Sequence, residues 1–445
     1  MIDPKFVMLI DVGTKPYKKS LCALYYTMVN NNRIAGVCGE IVPQDPVYLN
    51  IIEGYQVFEY AFYHIFDKAL ESCFGYISVM PGAFSAYRWK AINGEPLESV
   101  YFISIKRPEI MNCHKSNVCL AEDRLLPWAI VSMPGTTNIL KFVHCAYAET
   151  GVAQTLLQLL LQRRRWINGS YFSLANTCSH SCEFSYTNHS MLRKVCFCIE
   201  IFYFVTIISA TWFMVGIFYL VYELIFGSAL SQIYIFFYPA SEIVMDFYLG
   251  ILIIIFFLSF DLKSETGEIS YKVISYLLII YMTAVFFLLN YITFSASRHL
   301  SDYTIFLLCA IIGSFAIGII ITGNLKKILF TMIQFFLFFP IYVNFFGIYS
   351  LCNTHNCSWG DRPEITREEV IMNISGFQLK RTTWVIRWII SNFLFYKVIN
   401  FLSIQMQTTL TFFTIVAIIV LVRFCGCIWY YFTSRLDKKS SRLIS

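Results

Sequence analysis

Charged residues are scarce: Asp, Glu, Lys and Arg make up 14% of the 445 residues, where a soluble domain carries about 25%. With 57% of the chain hydrophobic, this argues against a soluble enzyme. An excess of one sign is missing too, since 34 Lys and Arg face 28 Asp and Glu for a net +6. That balance, with a mean hydropathy of +0.60, excludes a disordered chain and a polybasic nucleic-acid binder. No signal peptide is evident, because Met1-Ile2-Asp3-Pro4 has no basic flank and the apolar run Phe6 to Ile10 stops at Asp11. The first domain is therefore expected in the cytosol. Zinc-ligand spacing is absent as well: among fifteen Cys, the close pairs Cys178/Cys182, Cys196/Cys198, Cys352/Cys357 and Cys425/Cys427 form neither two CxxC knuckles nor a Cys/His quartet. Most read as small apolar residues, with Cys352 and Cys357 the pair that could join in an oxidising compartment.

What is present is apolar sequence, unevenly spread. Residues 1–195 read as ordinary mixed sequence, residues 196–432 as long apolar runs, and residues 433–445 as a basic tail. The 42 Phe and 29 Tyr point to lipid-facing surface in a bilayer. A span needs about 20 apolar residues. The segments Phe197–Tyr222, Ile243–Phe260, Ile274–Phe294, Tyr303–Gly323, Ile328–Ser350 and Leu410–Phe432 qualify. Trp384–Leu402 is weaker, since Arg387, Asn392 and Lys397 interrupt it, and a central charge costs about 2.5–3.5 kcal/mol to insert. The tail residues Arg435, Lys438, Lys439 and Arg442 place the C-terminus in the cytosol. About six to seven helices, with an even number of crossings, are expected. The side of the loop Leu351–Thr383, and so the use of the sequons at Asn356 and Asn373, is left open.

In the soluble half, Phe6 to Ile10 reads as a buried strand that delivers Asp11 into a loop, and Ile34 to Ile41 as a second strand carrying Glu40. Spacing turns helical between Val47 and Ser72, strand-like at Tyr76–Val79 and Ala83–Tyr87, then gives way to a charged loop. Helical pattern resumes near Leu120, a strand spans Ile139–Tyr147, and a helix runs from about Gln154 to Arg165. The order is that of an α/β domain. Asp11, Glu122 and Asp123, with Gln162-Arg-Arg-Arg-Trp166, each have a bland reading as turn, helix start or juxtamembrane charge. Together they suit sugar-nucleotide chemistry. A carboxylate such as Asp11 suits a hard divalent cation, Mg2+ or Mn2+, on a diphosphate. A second, such as Asp123, suits a general base for a sugar hydroxyl. Cationic groups would stabilise the leaving diphosphate, and Trp166 could stack on a sugar face.

Those residues resemble the fungal-type chitin synthases, processive inverting glycosyltransferases. The matching stretches are Leu9-Ile-Asp-Val-Gly-Thr-Lys-Pro16, Cys38-Gly-Glu-Ile41, Phe58-Glu-Tyr60, Pro81-Gly-Ala-Phe-Ser-Ala-Tyr-Arg88, Leu120-Ala-Glu-Asp-Arg-Leu125, Ala146-Tyr-Ala-Glu-Thr150, Gln162-Arg-Arg-Arg-Trp-Ile-Asn-Gly-Ser170 and Ser358-Trp359-Gly360. The resemblance implies a GT-A-like nucleotide-sugar domain, N-terminally incomplete, followed by a multi-pass helical membrane domain in the plasma membrane. It implies UDP-N-acetylglucosamine as donor and a β-1,4 chitin chain, extended at its non-reducing end, as acceptor. By the same resemblance Asp11 meets the divalent cation and diphosphate, and Asp123 deprotonates the acceptor. Gln162 and Arg165 contact the diphosphate, Trp166 supports the acceptor sugar, and Glu122, Arg124 and Gly82 belong to the donor and acceptor site. Val79–Ala83 resembles a loop at the polymer channel entrance. A homodimer is compatible with the resemblance; nucleic acid is not a partner.

Two departures stand out. Asp361-Arg362-Pro363 follows Ser358-Trp359-Gly360 where the family continues Thr-Lys-Gly, and Gly151 replaces an acidic residue. Asp11 also comes almost at once after Met1, so strands that would hold the nucleoside are expected upstream, in a longer protein. The alternatives are a truncated inactive partner of a full-length synthase, and another processive β-glycan synthase.

Overall fold

The computed structural model describes residues 4–102, 113–230, 233–235, 237–261, 268–295, 325–357, 367–402 and 405–441. The expected span Tyr303–Gly323, the Ser358-Trp359-Gly360 motif with Asp361-Arg362-Pro363, and Arg442 lie outside the described residues.

The soluble half is built on strands β1 (Phe6–Ile10), β2 (Lys15–Pro16), β3 (Ile34–Pro43), β4 (Phe84–Arg88) and β5 (Ile139–Thr150), in the order β1-β4-β3-β5-β2. The sheet is mixed. β4 runs antiparallel to both neighbours, with Ile10 opposite Phe84 and Cys38 opposite Ser85, whereas β3 and β5 are parallel, with Cys38 opposite Phe142. Burial on both faces explains why Ile34 to Ile41 is nearly continuously apolar. The helices on this sheet are α1 (Ser20–Asn30), α2 (Ile51–Phe62), α3 (Ala69–Phe74), α4 (Trp89–Ile92), α5 (Cys113–Cys119), α6 (Glu122–Ser132) and α7 (Leu156–Ser179). A π-helical stretch, Tyr63–Lys68, joins α2 to α3. Asn50 opens α2 by accepting from the Ile52 N–H, and Gly75 closes α3 at φ +91°.

Tyr76 to Ser78 are buried, but Tyr76–Val79 is not a strand. Its backbone donors leave the sheet direction: the Ser78 N–H goes to the Glu71 carboxylate and the Met80 N–H to the Asp123 carbonyl. The helix expected to end near Arg165 is started by the Thr155/Gln158 capping box and, with no proline before His180, runs on through Gly169 to Ser179. Gln162 to Trp166 therefore sit in mid-helix.

Beyond them lie α8 (Met191–Trp212), α9 (Met214–Leu230), α10 (Ala240–Asp261), α11 (Glu268–Ser295), α12 (Leu325–Pro340), α13 (Gly347–Cys352), α14 (Arg367–Phe401) and α15 (Gln405–Ser441). Another π-helical stretch, Ile341–Phe346, links α12 to α13. Among the described residues, four segments are long and apolar enough to cross a membrane: Met191–Trp212, Ala240–Ser259, Leu329–Cys352 and Thr414–Ser434. The run Phe197–Tyr222 is not one span. It breaks at Phe213, and Phe197 and Phe204 of α8 are buried with Tyr76, Trp128 and Phe184 in the core of the soluble half. The freed backbone groups at the break are taken by α14, where Asn392 donates to the Trp212 carbonyl at 2.9 Å and accepts from the Gly216 N–H at 3.1 Å. A polar residue in a weak apolar run thus closes a helix break. Cys352 and Cys357 are both free thiols.

Candidate active site

The Asp11 carboxylate leaves the end of β1 into a turn closed by the Thr14 N–H on the Asp11 carbonyl at 3.0 Å, with Gly13 at φ +89°. Asp11 is exposed. A Cβ at Gly82 would lie 3.7 Å from Asp11 Oδ1, so the carboxylate borders the loop Val79–Ala83. That loop is held by Met80 N–H donating to the Asp123 carbonyl at 2.9 Å and by Phe84 N–H donating to the Pro81 carbonyl at 3.1 Å. Asp11, Gly82 and the start of α6 therefore share one ridge.

Glu122 and Asp123 occupy the first turn of α6, where the helix dipole favours negative charge. Burial pushes the Asp123 carboxyl above its usual range, and the charges of Arg124, Lys68 and Arg165 pull it back. The charge of Arg165, on α7, thus reaches Asp123. The two helices approach because Gly169, one turn beyond Arg165, has no side chain: a Cβ there would lie 3.1 Å from Ala121 Cβ. Glu122 instead turns toward the end of α5, where it adds to the burial that pushes Cys119 up to about 11. The charge of Arg124 also reaches Glu71 and Tyr63.

Five consecutive residues on a helix point in different directions, and Gln162 to Trp166 divide their work accordingly. Gln162 keeps its Oε1 buried without a hydrogen-bond partner. Arg163 is buried and forms a bidentate pair with Glu59, Nη1 to Oε1 at 2.9 Å and Nη2 to Oε2 at 2.5 Å. Its guanidinium also lies 4.3 Å from the Trp166 ring, while Tyr60 stacks on the same indole with centroids 6.4 Å apart. Trp166 remains 36% exposed between these braces. Arg164 is buried toward the membrane half, close to Tyr349 and Cys357. Burial, then Arg381 and Arg164, hold His355 down to about 4. That face is bolted in place by Asn168 donating to the Ser350 carbonyl at 2.9 Å and Asn117 donating to the Thr354 carbonyl at 2.7 Å.

The structure thus groups Asp11 with Gly82, and Asp123 with Arg165, with loop Val79–Ala83 between them. Sequence reasoning carried Glu59, Tyr60 and Arg163 only within motif stretches, without seeing that they pair, and did not single out Lys68 or Glu71. The one available signal was an acid, Glu59, within the apolar run Tyr55 to Phe62, since a buried carboxylate needs a cation. Lys68 is buried at 1% exposure, with Nζ 3.6 Å from Cys38 Sγ. Among the described residues no group of three His, Cys, Asp or Glu could hold a metal ion. A lone exposed carboxylate, Asp11, beside the open space at Gly13 nevertheless fits a hard cation that takes one or two carboxylates and completes its shell from phosphate and water.

Residues 1–181 match the family model described as the chitin synthase-like glycosyltransferase domain. Over 398 residues the chain is 32% identical to chitin synthase A of Ampelomyces quisqualis, covering 82% of this chain and 43% of that one. It is 32% identical over 384 residues to chitin synthase 1 of Saccharomyces cerevisiae, covering 81% and 34%, and 32% identical over 404 residues to chitin synthase 2 of Rhizopus oligosporus, covering 82% and 47%. The chain spans less than half the length of these curated relatives. Residues 1–181 thus match a chitin synthase-like glycosyltransferase domain, and the chain as a whole, with its mixed sheet, its Gln162–Trp166 helix and the apolar helices that follow, is similar to the fungal chitin synthases.

Proposed function

We propose that this chain carries the transfer site of a chitin synthase, moving N-acetylglucosamine from UDP-N-acetylglucosamine to the non-reducing end of a β-1,4-linked chitin chain. The observation that carries the reading is that the Met80–Gly82 loop ties the start of α6, with Asp123, to Asp11, while the signature helix α7 packs on that same helix start through Gly169. The acceptor 4-hydroxyl attacks C1 of the donor sugar while its proton passes to the Asp123 carboxylate. The bond from C1 to the diphosphate oxygen breaks with inversion, and UDP leaves with its new charge facing Arg165. The unpartnered Gln162 Oε1 lies one helical turn before Trp166, whose exposed indole supports the acceptor sugar. Glu122, Arg124 and Gly82 border the donor and acceptor. Asp11 is the residue that would hold a divalent cation, which when bound supplies positive charge at the diphosphate. In this reading residues 1–195 are the cytosolic catalytic part, residues 196–432 make up the plasma-membrane part that passes the polymer across, docked on the catalytic part through Phe197, Phe204 and Tyr430, and residues 433–445 return to the cytosol. The chain works singly or as a homodimer.

The test uses the full chain in membranes supplied with UDP-N-acetylglucosamine. Asp123→Asn is expected to lower polymer formation by at least about 100-fold while donor binding changes little. Equal loss of binding and transfer would remove Asp123 from the role of base.

A further inference from the structure

We infer that Glu71 is a positioning residue for the transfer, strapping the segment Ser78–Gly82 so that it aligns Asp123 and Asp11; this rests on the reading proposed above. Glu71 lies on α3, away from the reacting groups, and is 6% exposed. After α3 ends at Gly75 the chain reverses, and Ser78 returns over the carboxylate. Glu71 Oε2 accepts the Ser78 N–H at 3.1 Å and Oε1 accepts the Ser78 hydroxyl at 2.6 Å. Two residues on, the Met80 N–H reaches the Asp123 carbonyl, and Gly82 then borders Asp11. One extended segment therefore touches both acids. No strand pairing holds it at Ser78, so the Glu71 carboxylate supplies there what a β-ladder would supply elsewhere.

The anchor is itself fixed from behind. Helix α15 presses Gly426 against Leu70, where an added Cβ would lie 3.0 Å from the Leu70 Cα, and the Cys73 thiol donates to the Gly426 carbonyl at 3.7 Å. A displacement of about 1 Å at catalytic groups costs up to about 100-fold in rate, and a carboxylate accepting two donors from one residue removes that freedom.

The experiment compares the full chain with Glu71→Gln, Ser78→Ala and the double variant, reading transfer kinetics and amide exchange. Each single change is expected to lower kcat by about 10- to 100-fold with KM for UDP-N-acetylglucosamine within about twofold, and the double variant should be no worse than the poorer single one. Exchange at Ser78 and Met80 should quicken in the variants while the β3 and β5 amides keep their protection. Unchanged kcat, additive losses, or a matching rise in KM would each overturn the positioning role. Should the unmutated chain transfer no sugar, the functional reading fails, and exchange alone decides the strap: unaltered protection at Ser78 and Met80 in the variants would refute it.

Discussion

Trp166 is exposed on a helix whose neighbours Arg163 and Arg164 are almost wholly buried, and the contrast follows from their partners. Arg163 is matched by Glu59, with which removal of one member of a buried pair costs about 3–5 kcal/mol. Trp166 is braced by that guanidinium and by Tyr60 but keeps surface free. Trp166→Ala should therefore reduce chain extension far more than donor affinity, measured as polymer yield against UDP-N-acetylglucosamine binding; an unchanged yield would exclude an acceptor platform. The Asp123 environment yields a pH expectation. A base must be ionised, and burial raises this carboxyl above its ordinary value of 3.8 while Arg165 lowers it. The rate kcat/KM should fall with decreasing pH through a midpoint above that value. Arg165→Gln should move this acid limb further up, whatever it does to the absolute rate. A limb that stays in place would separate the two residues.

At the level of elements, the sequence marked β1, β3, β4 and β5 and the helices α2, α3, α6 and α7, because alternation and helical spacing are local properties, while the two-residue β2 and helix α1 went unmarked. Two segments that were read differently share one cause. Tyr76–Val79 has strand-like residues but loses its donors to Glu71 and Asp123, partners that no local pattern contains. The run Phe197–Tyr222 is apolar throughout, yet it bends at Phe213 because Asn392, 176 positions from Gly216, accepts the backbone N–H that the break releases. Asn392→Leu should leave that N–H unsatisfied at a cost of about 1–3 kcal/mol. Thermal unfolding in detergent should show a lower midpoint than for Phe393→Leu, a change at a 57% exposed neighbour. Equal midpoints would mean that the clasp contributes nothing.

Across the whole molecule, the last helix joins the two halves. With 37 residues, α15 extends about 55 Å, and its apolar segment Thr414–Ser434 is itself the part that packs on the sheet and α3. Tyr430 donates to the Phe142 carbonyl of β5 at 2.7 Å and accepts the His144 N–H at 3.1 Å. Arg423 pairs with Asp67 at 2.7 Å, next to Lys68 beneath the site. Arg423→Met leaves Asp67 buried without its cation and should destabilise the protein by about 3–5 kcal/mol. Adding Asp67→Asn should recover most of the loss. Failure of the second change to recover stability would show that Arg423 acts instead through the Tyr203 hydroxyl, to which its guanidinium also donates.

By itself, the sequence determined the division into a mixed half and an apolar half, the strand that delivers Asp11, and the residue types of the signature helix. Composition and periodicity are carried by neighbours in the chain, so they can be read without the fold. Only the tertiary structure decided which of those residues meet. Glu59 reaches Arg163 across 104 positions and Tyr430 reaches Phe142 across 288. Helix packing also made Gly169 the residue that lets Asp123 approach Arg165. Such pairings depend on how buried charges and broken backbones find partners across the core, a requirement that acts on the folded chain and leaves little trace in local pattern.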